Sequence, residues 1–530
     1  MYHRFILICS VLLSPLAAQR GTETYKVIGW NDLGMHCMDG KDYSLYSILP
    51  PFNTFHAHVL DSKGKLIKSG SGVRLTYEAV ADPTGSINRT TIGKTDFWSF
   101  VQPLFGTTLA PDMGLAGFPM PGPTNRPQSM RFDSPFNWFT AEGVPIGPYD
   151  DAGNKNYYPM VRVVARNTSG RELARTEIVL PVSDELDCRA CHASGLPTTA
   201  RPTSGWAFLS DPEKDFKTNV LKLHDERRGT TLLASAAAGK PALCAGCHAS
   251  NALPGTGQPG VSPLTQAVHR RHANVVDPTN NLVLDADNNR SACYRCHPGS
   301  ETKCLRGAMG NALAPDGSML MQCQSCHGNM SAVGASNRQG WLQEPSCQNC
   351  HTGTALQNNG QIRYTSAFTS GTILRQAVNR TFATNANTPA TGLDLYRFSK
   401  GHGGLQCESC HGSTHAEYPS SHVNDNLQSI RLQGYAGTLT ECTACHSEVP
   451  QTVTGGPHGM HPVGQYWVDK HEDPAEKNAA QCRTCHGADY RGTVLSKAST
   501  NRTFKTEWGT RSFAKGRMIG CYDCHRGPNP

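Results

Sequence analysis

The sequence predicts two architectures in one chain. Residues 19–183 read as an antiparallel, sandwich-like β domain, and residues 184–530 as a region of short helices with little regular structure. Three observations carry this. Apolar and polar residues alternate with period two in several segments before 184. A five-residue word, Cys-x-x-Cys-His, occurs nine times after 184 and never before it. The texture also changes at that point, from alternating runs to polar loops rich in Gly and Pro.

Taken in order, residues 1–18 have the form of an export signal: Arg4 at the start, an apolar run from Phe5 to Leu13, then Leu16-Ala17-Ala18. That run is too short to span a membrane, and no later run is long enough. The expectation is an exported protein, periplasmic or extracellular, with no membrane span. In the β domain, 72–80 and 160–166 alternate cleanly, and 167–170 (Asn-Thr-Ser-Gly) reads as the turn of a hairpin returning along 173–180. The stretch 103–159, rich in Pro, Gly and Phe, reads as loops. His56 and His58 share a face if their segment is a strand. Together with Met35, His36, Cys37 and Met38 they are soft and imidazole groups of a kind that binds copper, with packing residues, a disulfide half and a haem ligand as the other readings.

The repeated word sets the chemistry of the second region. Its nine copies are Cys188, Cys191, His192; Cys244, Cys247, His248; Cys293, Cys296, His297; Cys323, Cys326, His327; Cys347, Cys350, His351; Cys407, Cys410, His411; Cys442, Cys445, His446; Cys482, Cys485, His486; and Cys521, Cys524, His525. Two cysteines three apart, followed by histidine, form the attachment signature of a c-type haem. One backbone turn offers both thiols to the two vinyl groups of one porphyrin, and the adjacent imidazole meets the iron. A zinc site needs four ligands and no histidine after each second cysteine. A disulfide framework would not repeat one word nine times. The reading is nine covalently attached c-type haems, with the nine motif histidines as proximal iron ligands.

Fewer than forty residues of chain serve each motif, so the porphyrins must supply much of the buried apolar surface. The formal charge of +7 is not a sign of a nucleic-acid partner: eighteen propionates against nine ferric charges bring it to about −2. Of 21 cysteines, Cys9, Cys37 and Cys304 fall outside the motifs. Cys37 and Cys304 are candidates to pair with each other in an oxidising compartment, with two separately employed thiols as the alternative.

The motif region holds nine further histidines, in three groups of three: His224, His269, His272; His402, His415, His422; His458, His461, His471. Nine irons and nine spare imidazoles make these the distal-ligand candidates, with His36 of the β domain as a tenth. His269/His272 and His458/His461 have i,i+3 spacing, which on a helix turns both rings to one face. Spare histidines are almost absent near His297, His327 and His351, so those sites must draw distal ligands from remote chain. The motifs at Cys323 and Cys347 are the nearest in sequence and are expected to hold the closest pair of haems.

With the nine motifs and the segment 401–415 (Gly-His-Gly-Gly-Leu-Gln-Cys-Glu-Ser-Cys-His-Gly-Ser-Thr-His) in view, the chain resembles the large multihaem c-type cytochromes of respiratory and extracellular electron transfer. The resemblance covers about 184–530. It implies a multihaem cytochrome c domain and a carrier of electrons along mostly bis-histidine, low-potential haems. Its partners would be other multihaem cytochromes or an extracellular acceptor. It also implies a possible homo-oligomer or filament, in which His36 would reach a haem of the next copy. The alternative from another class is a multihaem reductase of a nitrogen or sulfur oxyanion with one open haem. Against it, every motif ends in histidine.

Overall fold

In the computed structural model, the described residues are 25–186, 188–314, 316–338, 345, 366–370, 373–374, 396–447, 461, 463–493, 496–498 and 501–527. The export segment read at 1–18, the fifth motif (Cys347, Cys350, His351) and His458 lie outside them. So does one half of the expected Cys323/Cys347 haem pair.

Two four-stranded antiparallel sheets build the N-terminal region. The strands are β1 (Lys26–Asn31), β2 (His36–Cys37), β3 (Tyr46–Ser47), β4 (Asn53–Leu60), β5 (Val73–Val80), β6 (Gln128–Ser129), β7 (Arg131–Asp133), β8 (Trp138–Val144), β9 (Met160–Asn167), β10 (Glu172–Val179) and β11 (Val182–Ser183). One sheet has the order β1-β4-β8-β7 and the other β10-β9-β5-β6. They share a single core. Val27, Phe55, Ala57, Val59, Phe139 and Ala141 of the first sheet meet Val73, Leu75, Tyr77, Val161, Val163 and Ile178 of the second. In β5 every second side chain is buried, which is the period-two pattern in space. The β9–β10 hairpin turns where the sequence predicts: the Asn167 side-chain oxygen accepts the Ser169 and Arg171 N–H groups, and Gly170 sits at φ 84.

The reading of 103–159 as loops needs correcting. That stretch contains β6, β7 and β8, and β8 lies inside the first sheet between β4 and β7. Trp138, Phe139, Thr140 and Ala141 are all buried in succession. A strand covered on both faces loses the alternation by which it would be recognised.

Beyond Ser183 the regular elements are short. Helical turns carry the words: Arg189–His192, Cys323–His327 and Cys407–His411, the end of the longer helix Glu472–His486, and 3-10 turns at Cys244–Gly246, Ala292–Arg295, Cys442–Ala444 and Cys521–Asp523. Four longer helices brace them, at Pro212–Arg228, Leu264–His272, Val423–Gln433 and Glu472–His486. The first has an Asp211 cap that accepts the Glu213 and Lys214 N–H groups and ends at Gly229 in the left-handed region. No helix among the described residues is long and apolar enough to cross a membrane.

The sheets and the motif region are joined by buried polar side chains. Gln428 of the helix Val423–Gln433 binds both backbone groups of Gly29 at 2.8 Å and accepts the Thr176 hydroxyl at 2.7 Å. Arg306 makes two 2.7 Å bonds to Asp425 and a third to the Gly34 carbonyl. Lys217, 1% exposed, reaches the Asp42 carbonyl and Glu213 and lies over the rings of Tyr43 and Tyr46. The Glu185 carboxylate accepts four successive N–H groups from Gly299 to Thr302. β3 also pairs in parallel with Ala242–Leu243, directly ahead of the second motif.

Candidate paired-histidine centres

Each described word closes on itself as one turn of backbone. The histidine N–H bonds to the carbonyl of the first cysteine at 2.9 Å in the first three motifs, 2.8 Å in the seventh and 3.1 Å in the ninth. That turn puts both thiols and the imidazole on one side of the backbone. None of the described cysteines is in a disulfide.

The folding of remote segments then sets a second imidazole opposite the first. His192 faces His272 with ring centroids 6.5 Å apart. His297 faces His269 at 6.1 Å with nearly parallel planes. His327 faces His415 at 5.9 Å, His446 faces His402 at 6.1 Å, and His486 faces His461 at 6.1 Å. His525 and His471 are 5.5 Å apart, with their Nε2 atoms at 3.4 Å. His224 lies within electrostatic reach of His248. A metal–imidazole bond of about 2 Å on each side puts two axial Nε2 atoms ~4 Å apart and their ring centroids ~6 Å apart. Five pairs are close to that spacing, and the sixth, His471/His525, would open by about half an ångström.

The other ring nitrogen is equally informative. Nδ1 lies beside a backbone carbonyl in His248 (Ser262, 2.8 Å), His269 (Thr265, 2.8 Å), His272 (Val268, 2.8 Å) and His415 (Leu33, 2.9 Å). The same holds in His446 (Lys63, 3.2 Å), His471 (Trp467, 3.0 Å) and His486 (Ile519, 2.7 Å), whereas His525 Nδ1 lies 3.2 Å from both the carbonyl and the N–H of Gly527, which favour opposite tautomers. A carbonyl can only accept, so in the neutral ring Nδ1 carries the proton and Nε2 keeps its lone pair. Iron-binding histidines are oriented in this way. Burial, then the facing histidine, pushes His192 and His297 down to about 4, which keeps both rings neutral. His415 goes the other way: burial lowers it, but Cys304 and Glu417 outweigh burial and raise it to about 10. It is also held at φ 66, a left-handed conformation a non-glycine residue adopts at a cost of about 1–3 kcal/mol.

The two i,i+3 histidines of the helix Leu264–His272 serve different motifs. His269 faces the third and His272 the first. Neighbouring motifs also touch. The thiols of Cys293 and Cys323 lie close enough to interact. Cys410 lies near Cys445, and Cys482 near Cys521. Tyr46 of β3 sits by both Cys188 and Cys244.

Other candidates are placed differently. His422 stacks on Tyr158 at 3.5 Å, and its Nδ1 accepts the Asn424 N–H, so it caps the helix Val423–Gln433. His36 is 3% exposed and packs edge-on against Phe52. A ring so enclosed does not reach a second copy of the chain. The sixth motif, Cys407, Cys410 and His411, stands on the helix Cys407–His411.

The copper reading does not hold for the face of β4. His58 uses both ring nitrogens, Nδ1 with the Asn137 carbonyl and Nε2 as acceptor from the Gln406 N–H. His56 stacks on Trp138 at 3.9 Å. Met38 is sealed in the β core. Among the described residues, no group of three or more His, Cys, Asp or Glu is arranged to hold a metal ion.

Sequence reasoning missed the Nδ1 partners, because backbone carbonyls leave no trace in residue type. It also missed the ring of Trp467, which stacks on His461 at 4.5 Å. No protein-family model, curated protein or solved structure matches this chain.

Proposed function

We propose that this chain is an exported multihaem c-type cytochrome that carries electrons, with a sandwich-like β domain built onto its haem-binding region. The observation that carries the reading is the set of facing imidazoles about 6 Å apart, in which one ring of each pair has its Nδ1 beside a backbone carbonyl. That arrangement suits one iron between two imidazoles. Haem would supply reversible one-electron chemistry at each such centre, with a low potential set by two imidazole ligands.

The chain's own residues do the positioning. Paired cysteines would fix each porphyrin covalently, and carbonyls aim the Nε2 of one histidine in each of the pairs His192/His272, His297/His269, His327/His415, His446/His402 and His486/His461. The contacts Cys293–Cys323, Cys410–Cys445 and Cys482–Cys521 keep successive centres adjacent. Adjacency of this kind is what a carrier requires. The partners would be other multihaem cytochromes or an extracellular acceptor, with self-assembly into oligomers or filaments open to a surface other than His36.

The test is cofactor count with spin state. A pyridine haemochrome assay with intact mass should give nine haems per chain, and low-temperature EPR of the oxidised protein should be dominated by low-spin signals. Seven or fewer haems in a fully matured preparation would overturn the reading of every motif as a haem site. A strong high-spin signal would overturn the carrier in favour of the reductase.

A further inference from the structure

We propose that Cys37 and Cys304 are joined by a disulfide in the exported protein, covalently strapping the β domain to the loop beside His415. Both are thiols in the structure. They are also the two cysteines of the described residues that no Cys-x-x-Cys-His word uses. Two independent runs of contacts converge on them.

The first passes through β11. Cys37 pairs with Ser183 in the parallel β2–β11 ladder. The Ser183 hydroxyl accepts that of Thr302 at 3.4 Å, and Thr302 is two residues from Cys304. The Glu185 carboxylate fixes the same loop by accepting N–H groups from 299 to 302. The second passes through His415. Cys304 Sγ lies 3.9 Å from His415 Nδ1, and that nitrogen is 2.9 Å from the Leu33 carbonyl, four residues before Cys37. Cys304 is near enough to act electrostatically on Cys37.

The bond would form by exchange. One of the two thiolates attacks the disulfide of an exported dithiol oxidase and forms a mixed disulfide. The other thiol then displaces the oxidase. Two electrons and two protons leave the pair and appear as two thiols on the oxidase, so the step balances. Its effect is local to one centre. His415 is positioned by Leu33 from the β domain and lies against Cys304 from the motif region, and the strap prevents those two segments from parting. It rests on the export reading for its oxidising setting.

The test uses the purified exported protein, denatured without reductant, alkylated with iodoacetamide and digested with trypsin. Residues 27–41, carrying Cys37, and residues 304–306, carrying Cys304, are bounded by Lys26, Lys41, Lys303 and Arg306. The expected result is one cross-linked species of these two peptides with no alkylation at either, replaced by two alkylated peptides after reduction. Cys37→Ser and Cys304→Ser should each leave one cysteine alkylated without reductant. Alkylation of both cysteines in most unreduced wild-type chains, or a link from either to another cysteine, would overturn the strap. Failure of the haem reading is seen separately, as alkylation at the motif cysteines.

Discussion

Arg306→Met is the sharpest probe of how the two regions hold together. Arg306 is 1% exposed, and its side chain closes a bidentate pair with Asp425 at 2.7 Å on both arms. It also donates to the Gly34 carbonyl at 2.7 Å and lies 5.0 Å from the Tyr158 ring centre. Methionine of similar length leaves the Asp425 carboxylate buried, with the Ser420 hydroxyl as its remaining side-chain donor. Removing one partner of a buried pair costs about 3–5 kcal/mol, because the other charge stays out of water. That is roughly a hundredfold or more in the folding equilibrium. Replacing both, as Arg306→Met with Asp425→Leu, removes the stranded charge and should cost less than either single change. Urea unfolding of the holoprotein, followed by near-UV circular dichroism, measures all three. The backbone of Arg306 and Gly307 holds the His415 carbonyl at 2.8 and 2.7 Å, so the single variant should also raise a high-spin EPR signal from one centre. A single-variant loss below about 1 kcal/mol, or a double-variant loss equal to the sum of the singles, would refute the argument.

The remaining predictions concern ligands, backbone and pH. His269→Ala and His272→Ala should each make one centre high-spin without loss of covalent haem, the former at His297 and the latter at His192. Magnetic circular dichroism of the two variants should therefore differ. His422→Ala should leave the spin state unchanged and cost about 0.5–2 kcal/mol as a lost helix cap, read by urea unfolding. Gly34→Ala places a Cβ 1.8 Å from the Thr414 carbonyl oxygen at φ +72, and should lower the thermal midpoint while disturbing the adjacent His415 centre. Burial raises the Asp39 carboxyl from its ordinary 3.8 to about 6. A raised folded value means the stabilising contribution is present below pH about 4 and lost as pH rises through about 6. That step, about 2 kcal/mol, should flatten in Asp39→Asn when stability is measured across pH 4–7.

The local form of the Cys-x-x-Cys-His words was legible because it is short-range. Each Cys-x-x-Cys-His word closes within one turn, and no tertiary context is needed to read it. The hairpin of β9 and β10 was legible for the same reason, since alternation and an Asn–Gly turn are short-range signals. β8 was not, because a strand buried on both faces gives up its period. Which distal histidine serves which centre was legible only in outline. The scarcity of spare histidines near His297 and His327 points to remote partners, but nothing in residue type directs His415 rather than His402 to face His327. That choice follows from Leu33, Cys304 and Arg306, which converge on His415 only in the folded chain. His422 was misleading because a helix cap and an iron ligand call for the same residue type.

On the proposed reading, the facing pairs also explain how so little chain could hold so many haems. Joining His192 to His272 closes a loop that contains the whole of 224–248 and overlaps 269–297. Joining His327 to His415 closes one that overlaps 402–446. The loop 461–486 overlaps 471–525. Each closure costs chain entropy that grows only slowly with length, so long interlocked loops are barely harder to close than short ones. Interlocking has a structural return, because no pair can part without loosening its neighbour. The three interlocked groups are themselves joined. The Cys293–Cys323 contact links the first to the second. A 2.8 Å ion pair from Lys515 to Glu441 ties the seventh motif to the segment leading into the ninth. A chain of independent beads would let centres drift apart under thermal motion, and electron transfer between them would fail at the widest gap. Overlapping closures remove that freedom, so the topology that stabilises a chain poor in apolar core also keeps its centres in file.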